Sequence, residues 1–264
     1  MSFVADLERN LWYCFSACGT GGDVVDLVRL LDGVGYREAA ATLAELAREP
    51  TEAHTRAVPR GDGVAMPFQP FLRRLSLDPH CPFLAAKGIL LETARVFEVG
   101  AWSGSGFLEG CVGVRLFDPD GHPLGYAGRR LDGEQGQKFE KWKLPPRLPK
   151  SRILYNAYRV KRDLQGGAIV VVECPWGVMR LHQLGVPAVA LLGVRLSDTH
   201  LAYLRFARNV LLLLDGDPAG RMAAKRIALA VGPTARILHL PDGSDPDDLP
   251  DADLDRLVRP FLSS

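Results

Sequence analysis

Acidic side chains follow three apolar segments in the last third of the sequence. They are Glu173, then Asp215 with Asp217, and finally Asp245 with Asp247. In open parallel sheets, ligands bind beyond the carboxyl ends of the strands, so these carboxylates are the first candidates for chemistry. Clustered carboxylates repel one another unless a cation lies between them, and Mg²⁺ or Mn²⁺ with oxygen ligands meets that need. The pattern therefore predicts a divalent-metal site at one edge of a sheet.

Gly216 lies between Asp215 and Asp217, where it lets the chain turn tightly enough for both side chains to face one site. An alternative is that Asp215 only caps the helix that begins at Pro218, because aspartate is a common N-cap. The coincidence of carboxylates at three strand ends favours the metal site.

The elements predicted around these residues alternate between strand and helix. The predicted strands are 168–172, 188–192, 209–214 and 235–240, and the helices between them end at Leu184 or cover 198–206 and 218–231. This alternation is typical of right-handed βαβ units and predicts a parallel sheet flanked by helices. Upstream, β-rich runs at 112–117 and 123–127 flank the turn sequence at 118–121 and predict a hairpin. The predicted fold class is α/β, with a smaller mixed N-terminal subdomain.

Changes in composition predict four parts of the chain. We expect residues 1–48 to be mostly helical, with Asp23 as the N-cap of a helix from Val24 and a second helix at 39–46. Residues 49–69 are rich in Pro and Gly and predict a linker. Residues 70–160 are expected to form one subdomain, opening with short helices at 71–77, 82–86 and 92–97, and residues 161–264 to contain the parallel sheet.

The overall composition indicates a globular protein without a strong charge bias. The 264 residues carry a formal net charge of +1, so a surface for nucleic acid would have to be a local basic patch. The sequence shows no apolar run near the ~20 residues of a membrane span and no secretory signal. The five cysteines are scattered, unlike those of a disulfide scaffold. We therefore expect a cytoplasmic protein that does not bind a membrane.

Three acidic segments resemble the Toprim domain shared by bacterial primases and type IA and II topoisomerases. They are Glu173 after its strand, DGDPAGR at 215–221 and LPDGSDPD at 240–247, the last of which resembles primases specifically. The resemblance implies catalytic roles for Glu173, Asp215 and Asp217. It also implies that these three, together with Asp245 and Asp247, hold Mg²⁺ or Mn²⁺. The family pattern has a second acid four residues after the glutamate, where this sequence has Gly177.

The resemblance continues upstream into the primase core, through the segments at 87–100, 117–130 and 138–139. It implies that nucleic acid or nucleotide is bound by Lys87, Arg129, Arg130 and Lys138. Arg221 is a further candidate for this binding because it lies near the acidic segments, and the alternative is that it only balances nearby aspartates. A local basic and aromatic patch supports this expectation: Arg115, Arg129, Arg130, Lys138, Lys141 and Lys143, interleaved with Tyr126, Phe139 and Trp142. The alternative is a solvated basic loop. The implied partners are a single-stranded DNA template and nucleoside triphosphates, with a replicative helicase reached through a region outside this sequence.

Residues 12–26 resemble the second half of the zinc-binding domain that precedes primase cores. Cys14 and Cys18 correspond to one pair of its ligands, and the sequence has no Cys or His before Cys14. Because structural zinc needs four protein ligands, we treat this pair as vestigial and expect no zinc in this chain.

Three functions remain open at this point. The first is a primase-like nucleotidyltransferase, a DNA-directed RNA polymerase that makes short primers on single-stranded DNA by metal-dependent phosphoryl transfer. The others are a Toprim nuclease and a non-catalytic single-stranded DNA-binding remnant of a mobile-element replication protein. Gly177 and the incomplete cysteine set bear on this choice, and primer synthesis, strand cleavage or mere retention of DNA would distinguish the three.

Overall fold

The computed structural model describes residues 3–6, 10–14, 21–46, 68–131, 141–193 and 195–262. The chain divides into two compact units, Met1–Pro67 and Phe68–Ser264. The predicted linker at 49–69 lies almost wholly outside the described residues.

The first unit combines a small sheet with two helices. Its elements are β1 (Phe3–Asp6), β2 (Leu11–Cys14), β3 (Gly21–Asp23), α1 (Val24–Asp32) and α2 (Tyr36–Leu46), and the strands pair antiparallel in the order β1-β2-β3. Both helices were predicted, and Asp23 is the N-cap of α1, accepting hydrogen bonds from the backbone N–H of Val25 and Asp26 at 2.8 and 3.0 Å. The three strands were not predicted, because each has four residues or fewer and shows little alternation.

The second unit begins with short helices and an antiparallel sheet. These elements are α3 (Pro82–Ala86), α4 (Leu91–Val96), β4 (Val99–Ala101), β5 (Cys111–Phe117), β6 (Pro123–Arg130) and β7 (Trp142–Lys143), with sheet order β4-β5-β6-β7. The predicted hairpin is β5 and β6. Its turn is closed by Asp118, whose Oδ1 accepts from the N–H groups of Asp120 and His122 at 2.9 and 2.8 Å.

The helix predicted at 71–77 is wrong. This segment is non-helical because its backbone bonds to the antiparallel sheet. Arg115 donates to the carbonyls of Leu72 and Arg73, each at 2.8 Å, and Leu75 N–H donates to the Tyr126 hydroxyl at 2.8 Å. These tertiary hydrogen bonds replace the ones that a helix would make.

The rest of the second unit is a parallel sheet flanked by helices, as predicted. Its elements are α5 (Lys161–Leu164), β8 (Ala168–Val172), α6 (Pro175–Gln183), β9 (Ala188–Ala190), α7 (Asp198–Arg205), β10 (Asn209–Leu212), α8 (Pro218–Val231), β11 (Ala235–Ile237) and α9 (Asp251–Val258). The strand order is β11-β10-β8-β9, and every pairing is parallel. Three strands end two or three residues earlier than predicted, so the apolar residues that follow them belong to the connections.

One hydrophobic core joins the two sheets of the second unit. All five residues of β8 are buried, as expected for a strand covered on both faces. The same buried cluster contains Val112 and Val114 of the antiparallel sheet and Val170 and Val172 of the parallel sheet. Within the described residues, no helix is both long enough and apolar enough to cross a bilayer.

Candidate cation site

The end of β8 meets the loop after β10. The two strands are neighbours, and Glu173 is the residue that follows β8. Its carboxylate Oε1 accepts a hydrogen bond from the backbone N–H of Asp215 at 3.2 Å. This bond brings the predicted residues Glu173 and Asp215 together at the edge of the sheet where ligands bind.

Gly216 connects this pair to the third acidic segment. Its N–H donates to the Ser244 carbonyl at 2.8 Å, and its own carbonyl accepts from Gly243 N–H at 3.1 Å. A Cβ at position 216 would lie 2.2 Å from the Pro241 carbonyl oxygen, so only glycine allows this approach. The loops that carry Asp215 and Asp245 are thus locked to each other through the backbone.

Asp217, and not Asp215, caps the helix that follows. Its Oδ1 accepts from Gly220 N–H at 2.6 Å at the start of α8. The alternative in which Asp215 serves only as the cap is therefore wrong. Asp215 Oδ1 is buried and has no hydrogen-bond partner within the described part of the chain.

The electrostatics show that the acidic residues lie within range of one another. We call Glu173, Asp215, Asp217, Asp245 and Asp247 the acidic cluster. Burial, followed by the charges of the other four members, raises the pKa of Asp215 to about 7. Burial also raises the pKa of Glu173, with smaller contributions from Asp217 and Asp245, and burial followed by Asp247 and Asp248 raises that of Asp245. The fold holds these carboxylates closer together than their charges favour.

Lys87 supplies a positive charge to one side of the cluster. Its Nζ lies 2.5 Å from Asp247 Oδ2 and 3.5 Å from Asp248 Oδ1. Asp247 is only 4% exposed, so the lysine compensates a carboxylate that water barely reaches. Lys87 was predicted to bind nucleic acid or nucleotide, and the structure places it against the acidic cluster.

Cys174 lies beside the same carboxylate, with Sγ 3.9 Å from Asp247 Oδ1. Burial, and then the charge of Asp247, raises the pKa of its thiol to about 12. The thiol is therefore protonated near neutral pH and is a poor nucleophile.

The donor set fits a hard divalent cation. No three His, Cys, Asp or Glu side chains, among those that the structure describes, stand in an arrangement that could already hold a metal ion. Asp215 Oδ1 nevertheless accepts no hydrogen bond from any described residue, and the pKa of Asp215 is raised. A cation bound by these carboxylate oxygens would stabilise their negative charge. Burial and neighbouring carboxylates raise the pKa of Glu173, Asp215 and Asp245, so these three carboxylates would turn toward a shared ion, whereas Asp247 is paired with Lys87.

A cleft of about 410 Å³ opens next to the acidic cluster. Its lining includes Glu173, Cys174 and Asp215, which follow strands of the parallel sheet, and Lys141, Trp142 and Lys150 in and around β7. We call this cleft the acidic cleft. Trp142 stacks on Trp176, with ring centroids 5.3 Å apart. The cleft thus combines acidic groups for a metal with lysines for phosphates and an aromatic ring.

Lys150 is a cleft residue that sequence reasoning missed, and Lys141 was named only as part of the wider patch. Lys150 belongs to a single 3₁₀ turn after a Pro-rich stretch, and no local pattern distinguishes it from a solvated lysine. The predicted Lys138 and Phe139 lie outside the described residues.

The other predicted basic residues have separate surroundings. Arg129 lies over the Phe83 ring at 6.0 Å and donates to the Lys141 carbonyl at 3.2 Å. Arg130 is at the end of β6, and its Nε is buried. Arg221 donates to the Gly216 carbonyl at 2.5 Å and pairs with Asp242 at 2.7 Å, so it braces the turn that Gly216 makes.

Arg115 and Tyr126 do not belong to a surface patch. Each is 4% exposed, and the Arg115 guanidinium lies 4.7 Å from the Tyr126 ring. Their place in the predicted basic patch is therefore wrong, since both instead hold the segment before the antiparallel sheet.

Gly177, where the family pattern has an acid, lies on α6 and faces β8. A Cβ at this position would lie 3.3 Å from three side-chain atoms of Val172, which is fully buried. In the first unit, Cys14 is buried in β2, and Cys18 lies outside the described residues.

Comparisons with known proteins show what this chain is similar to. Residues 170–250, which include the first strand end and the third acidic segment, match the family model described as Toprim-like. The DNA primase of Myxococcus xanthus is 28% identical over 295 residues, which cover 93% of this chain and 48% of that protein. The chain therefore spans about half the length of this curated relative.

Solved primase structures share the fold of the second unit. The RNA polymerase domain of Mycobacterium tuberculosis primase is 28% identical with a TM-score of 0.57, covering 69% of this chain and 75% of that one. A DnaG primase catalytic domain bound to ssDNA is 25% identical with a TM-score of 0.56, covering 67% and 70% respectively. Residues 170–250 thus form a Toprim-like domain, and this chain is a homologue of bacterial DNA primases.

Proposed function

We propose that this chain is a primase-type nucleotidyltransferase that joins nucleoside triphosphates into short primers on single-stranded DNA, using Mg²⁺ or Mn²⁺. The observation that carries the proposal is the acidic cleft, because Glu173, Asp215, Lys141 and Lys150 line the same cavity. Similarity to primases and to a primase domain bound to ssDNA supports the same activity.

The residues of the chain have distinct tasks in this proposal. Glu173, Asp215 and Asp245 would hold the divalent ions, and bound ions would supply positive charge for the triphosphate and for the primer 3′ hydroxyl. Lys141 and Lys150 bind phosphate oxygens, and Trp142 offers a ring on which a base stacks. Asp217 and Gly216 hold the loop of Asp215 in place through the cap of α8 and the backbone lock.

The test is de novo primer synthesis on single-stranded DNA with Mg²⁺ or Mn²⁺, comparing the wild type with Asp215→Asn. We expect product from the wild type, none with EDTA, and a loss of at least about 100-fold in the variant, because a charge that holds the metal is removed. Asp253→Asn, an exposed carboxylate on α9 paired with Arg256 at 3.3 Å, is the matched control and should retain wild-type synthesis.

Two outcomes would contradict this proposal and favour a different function. Metal-dependent cutting of the template without synthesis would favour the nuclease. Retention of labelled single strands with neither product nor cutting, unchanged in Asp215→Asn, would favour the non-catalytic binding protein.

A further inference from the structure

Arg180 is a buried cation on α6 that none of the sequence motifs includes. It is 7% exposed and lies on α6, the helix that begins two residues after Glu173. A guanidinium out of contact with water must have its donors satisfied, because leaving them unmet costs free energy. The partners of Arg180 therefore show what the residue does.

Two of these partners are backbone carbonyls of the segment that carries the last acidic residues, and a third is a side chain of the same segment. Nη1 donates to the Asp247 carbonyl at 2.8 Å, and Nη2 donates to the Leu249 carbonyl at 2.7 Å. Nη2 also pairs with Asp251 Oδ1 at 2.8 Å. One planar side chain thus binds three points of the chain from 247 to 251.

The same guanidinium reaches the backbone of Lys87. Nη1 lies 3.4 Å from the Lys87 carbonyl. The next residue, Gly88, has φ +67°, and a Cβ there would lie 2.9 Å from Arg180 Nη1. One helical turn after Arg180, Gln183 donates to the Gly88 carbonyl at 3.0 Å and accepts from Leu90 N–H at 2.8 Å. One face of α6 therefore fixes the turn from Lys87 to Leu90.

These contacts meet at the pair formed by Lys87 and Asp247. Arg180 binds the backbone carbonyl of both residues, and their side chains then lie 2.5 Å apart against the acidic cluster. A simple ion-pair role explains this less well, because the one charged partner, Asp251, is 58% exposed and such pairs contribute little.

We propose that Arg180 is a positioning residue for the cation site, which sets Asp247 and Lys87 relative to the rest of the acidic cluster by clamping their backbones. This inference rests on the proposed function, since it assumes that the acidic cluster binds divalent metal. Asp247 belongs to the 3₁₀ turn Pro246–Asp248 that Asp245 caps, so fixing the backbone of Asp247 also positions the carboxylate of Asp245. Partners that orient metal ligands without touching the metal typically change affinity by about 10- to 100-fold.

The experiment measures Mn²⁺ affinity of the full-length chain by electron paramagnetic resonance, and Mg²⁺ dependence of primer synthesis. The variants are Arg180→Met, which keeps the length of the side chain but has no donors, and Arg180→Lys, which keeps the charge but cannot bind three carbonyls at once. Arg256→Met is the matched control, because Arg256 is 79% exposed and pairs only with Asp253 in the described contacts. Asp215→Asn marks the loss of the site itself.

We expect Arg180→Met to weaken Mn²⁺ binding by about 10-fold or more and to raise the Mg²⁺ concentration for half-maximal synthesis by a similar factor, with kcat at saturating Mg²⁺ within about threefold of wild type. Arg180→Lys should fall between wild type and Arg180→Met, and Arg256→Met should equal wild type. Wild-type Mn²⁺ affinity in Arg180→Met overturns the proposal. If Arg180→Met does not fold, wild-type affinity in Arg180→Lys overturns it instead.

Failure of this inference is distinguishable from failure of the proposed function. If Asp215→Asn loses Mn²⁺ and the Arg180 variants keep it, only the role of Arg180 is wrong. If Asp215→Asn binds Mn²⁺ like the wild type, the acidic cluster is not the metal site and both proposals fall.

Discussion

At the scale of single residues, the carboxylates of the acidic cluster repel one another in the absence of a cation. The charges of four other carboxylates contribute to the raised pKa of Asp215, and one of its carboxylate oxygens accepts no hydrogen bond in the described structure. Lys87 pairs with Asp247 and the adjacent Asp248, and its charge also opposes the rise in the pKa of Asp245. A protein without metal therefore has a free-energy cost that cation binding removes.

Asp215→Asn should stabilise the metal-free protein at pH 8, because it removes one charge from the cluster and keeps the shape. A gain of about 1 kcal/mol would raise the Tm by about 2–4 °C for a unit of this size. The measurement is thermal unfolding in EDTA and again with 10 mM Mg²⁺. Mg²⁺ should raise the Tm of the wild type and leave that of the variant unchanged; a variant less stable than the wild type in EDTA would contradict this.

Lys87→Met should destabilise the protein by about 3 kcal/mol, because it leaves the Asp247 carboxylate buried without its cation. Urea unfolding measures the change. Lys161→Met is the control, since Lys161 pairs with Asp120 at 3.2 Å and both side chains are well exposed, at 46% and 39%. That substitution should cost less than about 1 kcal/mol, and equal costs for the two variants would contradict the account.

The sequence predicted which acids meet, but not what each one does there. Strand-end position alone brought Glu173 and Asp215 to one edge, because parallel strands share a direction. The choice of Asp217 as the cap of α8 depends on the exact turn made at Gly216, and the pairing of Lys87 with Asp247 joins positions 160 residues apart. Arg115 was predicted to belong to a basic patch because its sequence context does not show that it is buried. Its burial becomes clear only in the structure, where its guanidinium donates to two backbone carbonyls.

At the scale of elements, the connection between β10 and α8 is the part that geometry constrains most. Gly216→Ala should destabilise the protein by about 2–3 kcal/mol and reduce primer synthesis, because the new Cβ would meet the Pro241 carbonyl at 2.2 Å and separate the two acidic loops. Gly177→Ala is the comparison, since its Cβ would meet Val172 at 3.3 Å and a helical alanine regains about 1 kcal/mol. Urea unfolding should show a much smaller change for Gly177→Ala; the reverse order would be contrary to the structure.

The start of α7 predicts a dependence of stability on acid pH. His200 is 2% exposed, its Nε2 donates to the Ile153 carbonyl at 3.0 Å, and its Nδ1 accepts from Ser197 N–H at 3.4 Å, which is the neutral tautomer. Burial lowers its pKa. The unfolded chain therefore binds a proton below about pH 6.5 that the folded chain does not, so this contribution to stability is present above pH 6.5 and is lost as the pH falls toward the folded pKa.

His200→Gln removes the titrating group and should reduce the fall in unfolding free energy between pH 7.5 and 5.5. The measurement is urea unfolding of both proteins at the two pH values, and the quantity compared is the difference between their pH dependences. A variant that loses as much stability on acidification as the wild type would refute this role.

Strands and long helices could be predicted where the local sequence signal was strong. The buried run of β8 and the helix Pro218–Val231 were predicted with their observed bounds, because apolar β-branched residues and a Pro at the first turn give strong local signals. The segment at 71–77 has helical spacing, but Arg115 and Tyr126 bind its backbone from the sheet. Such tertiary hydrogen bonds leave no local signal.

At the scale of the whole molecule, the acidic cleft is lined by residues from both the parallel and the antiparallel sheet regions. Glu173 and Asp215 follow strands of the parallel sheet, whereas Trp142 belongs to β7 of the antiparallel sheet, next to Lys141. The hydrophobic core shared by the two sheets holds these elements in place. A chain with a net charge of +1 thus places carboxylates and lysines together in one cleft.

The most direct test of the central claim is the position of Mn²⁺ in crystals of the full chain, located by anomalous diffraction. We expect a peak within coordination distance, about 2.2 Å, of Asp215 and at least one of Glu173 and Asp245. An anomalous peak bound elsewhere, with the acidic cluster unoccupied at saturating Mn²⁺, would contradict this claim.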